Sequence, residues 1–322
     1  MNIVDTRTVA DFQNFTFSGH SRKLATKSLT ESIQLGHADY ACYWSLELLC
    51  SGLVTSLWST LFESASTSVH RACPNMFTYL ISQYERFRGI QDTFTVPTMT
   101  DIRNRADARS LVCETACALS GCRKQKPIVL PRIKTEHEFD PTTIRENLRA
   151  TSQHFGAGIL RSEDPYELAI PVNELCFSIQ NRDTLRALYW VSWINAFAKE
   201  KKKQSKQALA IAPRTGPLIP EKYSRHLAWL FWDIVHRYAG QAGFLQTYIE
   251  AIEKMYCLKW EPSVAKAHQT FLVTAIVFLT ENQALDMHEP AKRDEQEISN
   301  VMAGIPRWLE TIQATRNSFS SR

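Results

Sequence analysis

The chain has 322 residues, 44% of them hydrophobic and 22% charged, so it can bury a sizeable core without metal ions or disulfide bonds. Its formal net charge of +4 is small, whereas a dedicated nucleic-acid-binding protein usually carries a denser set of Lys and Arg residues. Only 11 glycines are present, which argues against an all-β protein and against an enzyme built on Gly-rich phosphate loops.

Apolar residues recur at helical spacing along most of the chain and predict an all-α protein, either a multi-helix bundle or an irregular helical array. Ser21 is expected to begin a helix that Gly36 ends. The next segment, ADYACYWSLELLCSG, is apolar nearly all round, which is typical of a central helix. The predicted helices of the first half are 21–34, 38–52, 53–66, 74–88 and a basic-faced helix at 101–119.

The second half has the same helical pattern. Asp183 is predicted to cap a strongly amphipathic helix, and a solvated loop is expected to follow it at 199–220. The longest apolar run, FLVTAIVFL at 271–279, is too short to cross a bilayer, so it predicts a buried helix and no transmembrane segment. The predicted helices begin near Pro165 and then cover 183–199, 221–239, 244–258, 263–281, 294–303 and 306–315.

The longest irregular stretch lies at 121–141 and contains two prolines and many charges. It predicts a boundary between an N-terminal helical part, 1–125, and a C-terminal helical part, 126–322. One continuous domain is the alternative. The tetrapeptides ACYW at 41–44 and ALYW at 187–190 both open apolar helices, which suggests two similar helical halves.

Eight cysteines are present, and the N-terminal residues lack the basic and apolar regions of a secretion signal, so we expect reduced thiols. Cys113, Cys117 and Cys122, with His137 nearby, are a candidate zinc site. Their C-x₃-C-x₄-C spacing differs from the C-x₂-C pair of zinc knuckles, and their neighbours are apolar. Buried thiols are therefore the favoured interpretation, and no cofactor is expected.

No common catalytic motif occurs in the chain: H-E-x-x-H, G-x-S-x-G, a Walker loop and a dinucleotide fingerprint are all absent. Glu47, Glu174 and Asp233 are acidic residues inside apolar helical stretches, where burial can turn a carboxyl group into a general acid or base. Because no partner nucleophile or metal cluster accompanies them, pairing with a neighbouring helix is the favoured interpretation. We expect neither an enzyme nor a small-molecule ligand.

The densest positive charge is the run KEKKKQSK at 199–206. Its candidate binding residues, which would contact an acidic partner, are Lys201, Lys202, Lys203 and Lys206. The alternative is a solvated helix end, where the helix dipole itself favours lysine.

Two motifs carry a family resemblance. FTFSGH at 15–20 matches an F-x-F-S-G segment, and the helix after it matches A-x-x-W-S-x-E-L-x-C-S-G at Ala41, Trp44, Ser45, Glu47, Leu48, Cys50, Ser51 and Gly52. Further matches follow in the same order: EDPYELAIPVNEL (163–175), ALYWVSWINAF (187–197), LFWDIV (230–235), YCLKWEPSVAKAH (256–268) and LVTAIVFLTE (272–281). On these segments the chain resembles a conserved protein family of the nucleocytoplasmic large DNA viruses of algae and protists.

The chain departs from that family in its basic groups. The family's H-I-H-L-G-N-P-K-like segment keeps His70, Pro74 and Tyr79 here but loses its glycine and lysine. The lysines of its C-L-K-F-T-P-x-x-K-K motif are reduced to Lys259 and Lys266. A role that depends on those basic groups is therefore in doubt for this chain.

The resemblance implies a viral protein that is assembled in the host cytoplasm and resides in the virion. It leads to the hypothesis of a minor capsid protein that contacts the major capsid protein and other minor capsid proteins. The alternative is a replication or transcription accessory protein that binds nucleic acid or a polymerase-type partner through 199–206 and a face formed by Arg103, Arg105 and Arg109. A third hypothesis is an enzyme that uses Glu47 or Asp233.

Overall fold

The computed structural model describes residues 2–292 and 294–320, and these residues contain helices but no β-strand, which confirms the all-α class. Isolated bridges join Phe15 to Ser21 and Ala210 to His226. The α-helices are α1 (Arg22–Leu35), α2 (Ala38–Cys50), α3 (Val54–Ser68), α4 (Asn75–Gln91), α5 (Ala106–Gly121), α6 (Thr135–Glu138), α7 (Pro141–Asn147), α8 (Ala169–Gln180), α9 (Thr184–Ser205), α10 (Ala228–Ala242), α11 (Gln246–Tyr256), α12 (Ala265–Thr280), α13 (Glu295–Met302) and α14 (Ile305–Ser320).

The chain forms two compact units, which we call unit 1 (Met1–Lys126 with Asp286–Arg322) and unit 2 (Pro127–Leu285). The junction at Lys126 lies inside the predicted boundary region of 121–141. The prediction placed all of 126–322 in one C-terminal part, but residues from 286 onward belong to unit 1. They do so because α13 packs on α5 and α14 packs on α2, which buries Ile298, Trp308 and Ile312.

Unit 1 is organised around α2, which packs most extensively on α5 and α1. The side chains of α2 are buried on nearly all sides, as the apolar sequence predicts for a central helix. The predicted limits of α1 are confirmed: the Ser21 side chain accepts a hydrogen bond from the Leu24 N–H, and Gly36 ends the helix with a φ of 74°.

Unit 2 is organised around α12, which packs against α8, α9, α10 and α11. Its residues 271–280 are all buried, which confirms the buried helix predicted for 271–279. No helix among the described residues is long and apolar enough to cross a membrane.

The longest helix of unit 2, α9, differs from its prediction in length. The Asp183 side chain caps it as predicted, by accepting a hydrogen bond from the Arg186 N–H. The helix continues to Ser205, however, so most of the lysine run is helical and the predicted loop at 199–220 begins later. Lys and Gln are good helix formers, and the C-terminal dipole favours the lysines, so the helix does not need to end at 199.

Candidate functional site

The predicted lysine cluster lies on the last turns of α9, and local carboxylates bind two of its members. Lys201 Nζ lies 3.0 Å from Glu167 Oε1, and Lys203 Nζ lies 2.8 Å from Glu200 Oε2. Lys206 follows the helix as its C-terminal cap, in the left-handed region with a φ of 63°. Lys202 has a different environment, because it lines a groove in unit 2.

The groove has a volume of about 570 Å³ and lies among α9, α10, α12 and the loop that follows α9. Its lining is mainly apolar: Ala196, Ala208 and Leu209 reach solvent, whereas Leu227, Phe231 and Leu272 are buried beneath them. The helices α9 and α10 both pack on α12. Small side chains on these three helices, such as Ala196, Ala228 and Ala265, leave the space that forms the groove.

Three exposed lysines line this apolar surface, and we call Lys199, Lys202 and Lys266 the groove lysines. Lys199 and Lys202 are three residues apart, so they project from one face of α9, while Lys266 projects from α12. No Asp or Glu is among the described residues that line the groove. The groove therefore combines an apolar surface with uncompensated positive charge from two helices.

The other polar groups of the groove do not add to this charge. Burial lowers the pKa of His226, so its imidazole is neutral near pH 7, and its Nδ1 accepts a hydrogen bond from the Ala228 N–H at 3.2 Å. The Nδ2 of Asn195 is buried without a hydrogen-bond partner in the described part of the chain. The groove wall thus contains one unsatisfied donor.

Only one of the four predicted binding lysines, Lys202, lines the groove, and the sequence analysis missed Lys199 and Lys266 as its partners. The spacing of Asn195, Lys199 and Lys202 would have placed all three on one helical face, but the predicted helix ended at 199. No pattern along the chain links α9 to Lys266, since only the packing of α9 on α12 brings them to one groove.

Two of the predicted carboxylates are buried by contacts that serve the fold. Glu47 accepts hydrogen bonds from the Ser18 N–H at 2.8 Å and the Ser18 hydroxyl at 2.7 Å. Glu174 accepts hydrogen bonds from the backbone N–H groups of Arg149 and Ala150, at 3.0 Å and 2.9 Å. These contacts agree with the interpretation that each carboxylate pairs with a neighbouring segment.

The third carboxylate, Asp233, borders a cleft of about 480 Å³ in unit 2, together with Arg161, His236 and Arg237. Its Oδ2 accepts a hydrogen bond from Arg214 Nε at 2.6 Å, and His236 Nε2 lies 3.0 Å from Glu253 Oε1. The hydrogen bond that His236 donates to the Glu253 carboxylate raises the pKa of His236, although burial opposes the shift. Asp233 and His236 are therefore each engaged with an oppositely charged side chain.

The buried Arg214 holds a second carboxylate in a bidentate pair. Its Nη1 and Nη2 donate to the two carboxylate oxygens of Asp164 at 2.9 Å and 2.7 Å. Both side chains are almost fully excluded from solvent, with exposed fractions of 1% and 0%. The pair fixes the segment before α8 to the loop before α10 within unit 2.

The structure contradicts the predicted nucleic-acid-binding face of Arg103, Arg105 and Arg109, because these side chains do not share one exposed surface. Arg103 and Arg109 are buried in unit 1, and only Arg105 is exposed, where it pairs with Asp107. The Arg103 side chain lies 5.5 Å from the Phe12 ring and donates from Nε to the Thr100 carbonyl. The helix α5 begins at Ala106 rather than at residue 101. The 3₁₀ helix Val96–Asn104 precedes it and contains the Thr100 carbonyl that accepts the hydrogen bond from Arg103.

The cysteines do not assemble with His137. Cys113, Cys117 and Cys122 lie in and just after α5 and are buried, and Cys42 Sγ donates to the Cys113 carbonyl. Burial raises the pKa of Cys117 to about 12. In residues 2–292 and 294–320 no three His, Cys, Asp or Glu side chains come together as a metal site requires.

The two motifs that carry the family resemblance are joined by hydrogen bonds in the interior of unit 1. Besides the contacts of Ser18 with Glu47, the Phe17 N–H donates to Ser51 Oγ at 2.7 Å, and the Ser51 hydroxyl donates to the Glu47 carbonyl. The motif glycines that follow the two serines, Gly19 and Gly52, have φ values of 87° and 67°, a region that only glycine occupies without strain. We call Phe17, Ser18, Glu47 and Ser51 the motif network.

Comparisons of the chain with known family models, characterised proteins and solved structures give no match.

Proposed function

We propose that the chain is a non-enzymatic structural protein of a large DNA virus particle, a minor capsid protein that contacts the major capsid lattice. It is assembled in the host cytoplasm. The origin of this proposal is the resemblance of its motifs to the viral family. The single observation that carries the role of binding other proteins is the groove of unit 2, an open apolar surface with unpaired positive charge.

The motif network supports a scaffold role. All four of its residues are buried, and their polar groups are used for contacts between two segments of unit 1. Its residues maintain the fold of unit 1, and a fold by itself does not specify a function. The surfaces that meet partners are then expected outside this network.

The alternative role in replication or transcription keeps only part of the residues that motivated it. Arg103 and Arg109 are buried, and Lys201 and Lys203 are paired with carboxylates. Affinity for nucleic acid depends on the number of phosphates neutralised, and among the described residues of 199–206 the lysines left without an ion pair are Lys199, Lys202 and Lys206. We therefore favour the capsid role.

The proposal is tested by quantitative mass spectrometry of purified virions and of infected cells. A minor capsid protein is expected in the particle at a fixed ratio to the major capsid protein across preparations. Abundance in infected cells together with absence from particles would overturn the proposal. Soluble proteins of the infected cell, measured in the same particles, control for carry-over.

A further inference from the structure

We propose that the groove of unit 2 binds an acidic amphipathic helix of another protein. The apolar side chains of that helix would enter the groove, and its Asp and Glu side chains would meet the groove lysines. This inference concerns a binding activity, and it holds or fails whether or not the chain is a capsid protein.

Charge complementarity selects an acidic occupant. The groove lysines are exposed, carry no ion pair among the described residues, and project from α9 and from α12. In contrast, Lys201 and Lys203 on the same helix have carboxylate partners. Like charges that are left uncompensated around an apolar surface attract a ligand that presents carboxylates beside apolar groups.

The shape and composition of the groove favour a helix over other anionic ligands. A fatty acid carries one carboxylate, which one lysine would satisfy, whereas three lysines on two helices match a ligand with several charges. A nucleic acid gains affinity by stacking bases on exposed aromatic rings, but the groove's Phe231 and Tyr256 are each only 2% exposed. A groove between helices is a recurring binding site for a helix with apolar residues at i, i+3, i+4 and i+7.

Two features of the walls agree with this occupant. Alanines at 196, 228 and 265 leave space where larger side chains can insert. Asn195 lines the wall contributed by α9, and its Nδ2 has no hydrogen-bond partner among the described residues, so the wall holds an unsatisfied donor.

The test uses a display library of random peptides about five helical turns long, selected on the full-length protein. Binders are synthesised with a fluorophore, and their affinities are measured by fluorescence anisotropy. The groove variant is Lys199→Glu/Lys202→Glu/Lys266→Glu. Its matched control is Lys201→Glu/Lys203→Glu/Lys206→Glu, which makes the same change in net charge at the same helix end without altering a groove-lining residue.

We expect the selection to enrich sequences with an apolar helical stripe flanked by Asp and Glu. The groove variant should weaken their binding about tenfold or more, and the control should change it less than about threefold. Ala265→Trp, which fills the groove without changing a charge, should also abolish binding, and circular dichroism verifies that each variant folds.

Three results of the peptide selection would overturn the inference. They are recovery of no binding peptide, enrichment of basic sequences, and enrichment of peptides that bind the groove variant and the control equally well. The same variants are titrated with a single-stranded oligonucleotide and with a long-chain fatty acid. If either of these binds the groove more tightly than the selected peptides do, the occupant is assigned to that class and the helix proposal is wrong.

Discussion

The motif network of unit 1 and the groove of unit 2 use polar side chains in opposite ways. In the network, Glu47 is fully buried and its two carboxylate oxygens are both occupied by Ser18. In the groove, Lys199, Lys202 and Lys266 are exposed and have no carboxylate beside them among the lining residues. A buried polar group needs a partner for the fold to be stable, so the network must be complete in the isolated protein.

The two regions therefore differ in pairing: the polar groups of the motif network are paired within the fold, and the groove lysines are left for a partner. The buried ion pair between Arg214 and Asp164 is an example in unit 2 of paired polar groups that hold the fold. Substitutions of the paired groups should therefore lower the free energy of unfolding, whereas substitutions of the groove lysines should weaken the binding of a partner. The following expectations rank them by their effect on the free energy of unfolding.

The largest loss is expected for Arg214→Met. The substitution removes the partner of Asp164 and leaves a carboxylate in a site with no solvent access, which costs about 3–5 kcal/mol. Chemical denaturation followed by circular dichroism measures it. Arg225→Met is the control, because Arg225 pairs with Glu163 on the surface and such pairs contribute about 1 kcal/mol or less. Equal losses in both variants would contradict the account.

A smaller loss is expected for Glu47→Ala. It leaves the Ser18 N–H without an acceptor in the interior of unit 1, which costs about 1–3 kcal/mol, in addition to the cavity that forms. Glu31→Ala serves as the control, since Glu31 is exposed and pairs with the exposed Lys27 at 3.5 Å. If Glu47→Ala unfolds at the same denaturant concentration as the wild type, the motif network is not a structural element.

Acid should destabilise the protein in part through Asp164. Burial alone would raise its pKa, but hydrogen bonds and charge from Arg214 hold it below the ordinary value of about 3.9. The resulting stability is fully present above the unfolded-state pKa and is lost as the pH falls through the lower folded-state pKa. Denaturation measured from pH 6 to pH 2 should show a steeper decline in the wild type than in Arg214→Met. Parallel curves would exclude the pair as a cause.

The smallest effect on stability is expected for the groove variant. Its three lysines have no ion pair to lose among the described residues, and reversing Lys202 in the last turn of α9 costs about 0.3–1 kcal/mol against the helix dipole, so its free energy of unfolding should stay within about 1 kcal/mol of the wild type. Thermal and chemical denaturation test this alongside the peptide titrations. A loss of several kcal/mol would place the groove lysines with the groups that hold the fold, and the distinction between the two regions would disappear.

Local signals in the sequence were sufficient for parts of the fold. Ser21, Gly36 and Asp183 were recognised as helix ends because capping depends on one side chain and its nearest backbone neighbours. The central position of α2 and the burial of 271–279 were predictable because a helix that is apolar all round has to be surrounded.

The features that were wrong or missed depend on contacts between distant segments. The return of residues 286–322 to unit 1 depends on surfaces of α2 and α5 that no local pattern specifies. Arg103 belongs to a basic face in the prediction but is buried, because the distant Phe12 ring and the Thr100 carbonyl of its own 3₁₀ helix accommodate its guanidinium. The groove lysines meet only because α9 is longer than predicted and packs on α12.

We propose that the chain acts by binding a protein partner in the virion through the groove. Chemical cross-linking of intact particles with a lysine-to-carboxylate reagent, followed by mass spectrometry, tests it most directly. The account predicts links from Lys199, Lys202 or Lys266 to acidic residues of a capsid protein, with few from the exposed Lys23 and Lys27 of unit 1. The account would be contradicted if particles contain the protein but its groove lysines link to capsid proteins no more often than Lys23 and Lys27 do.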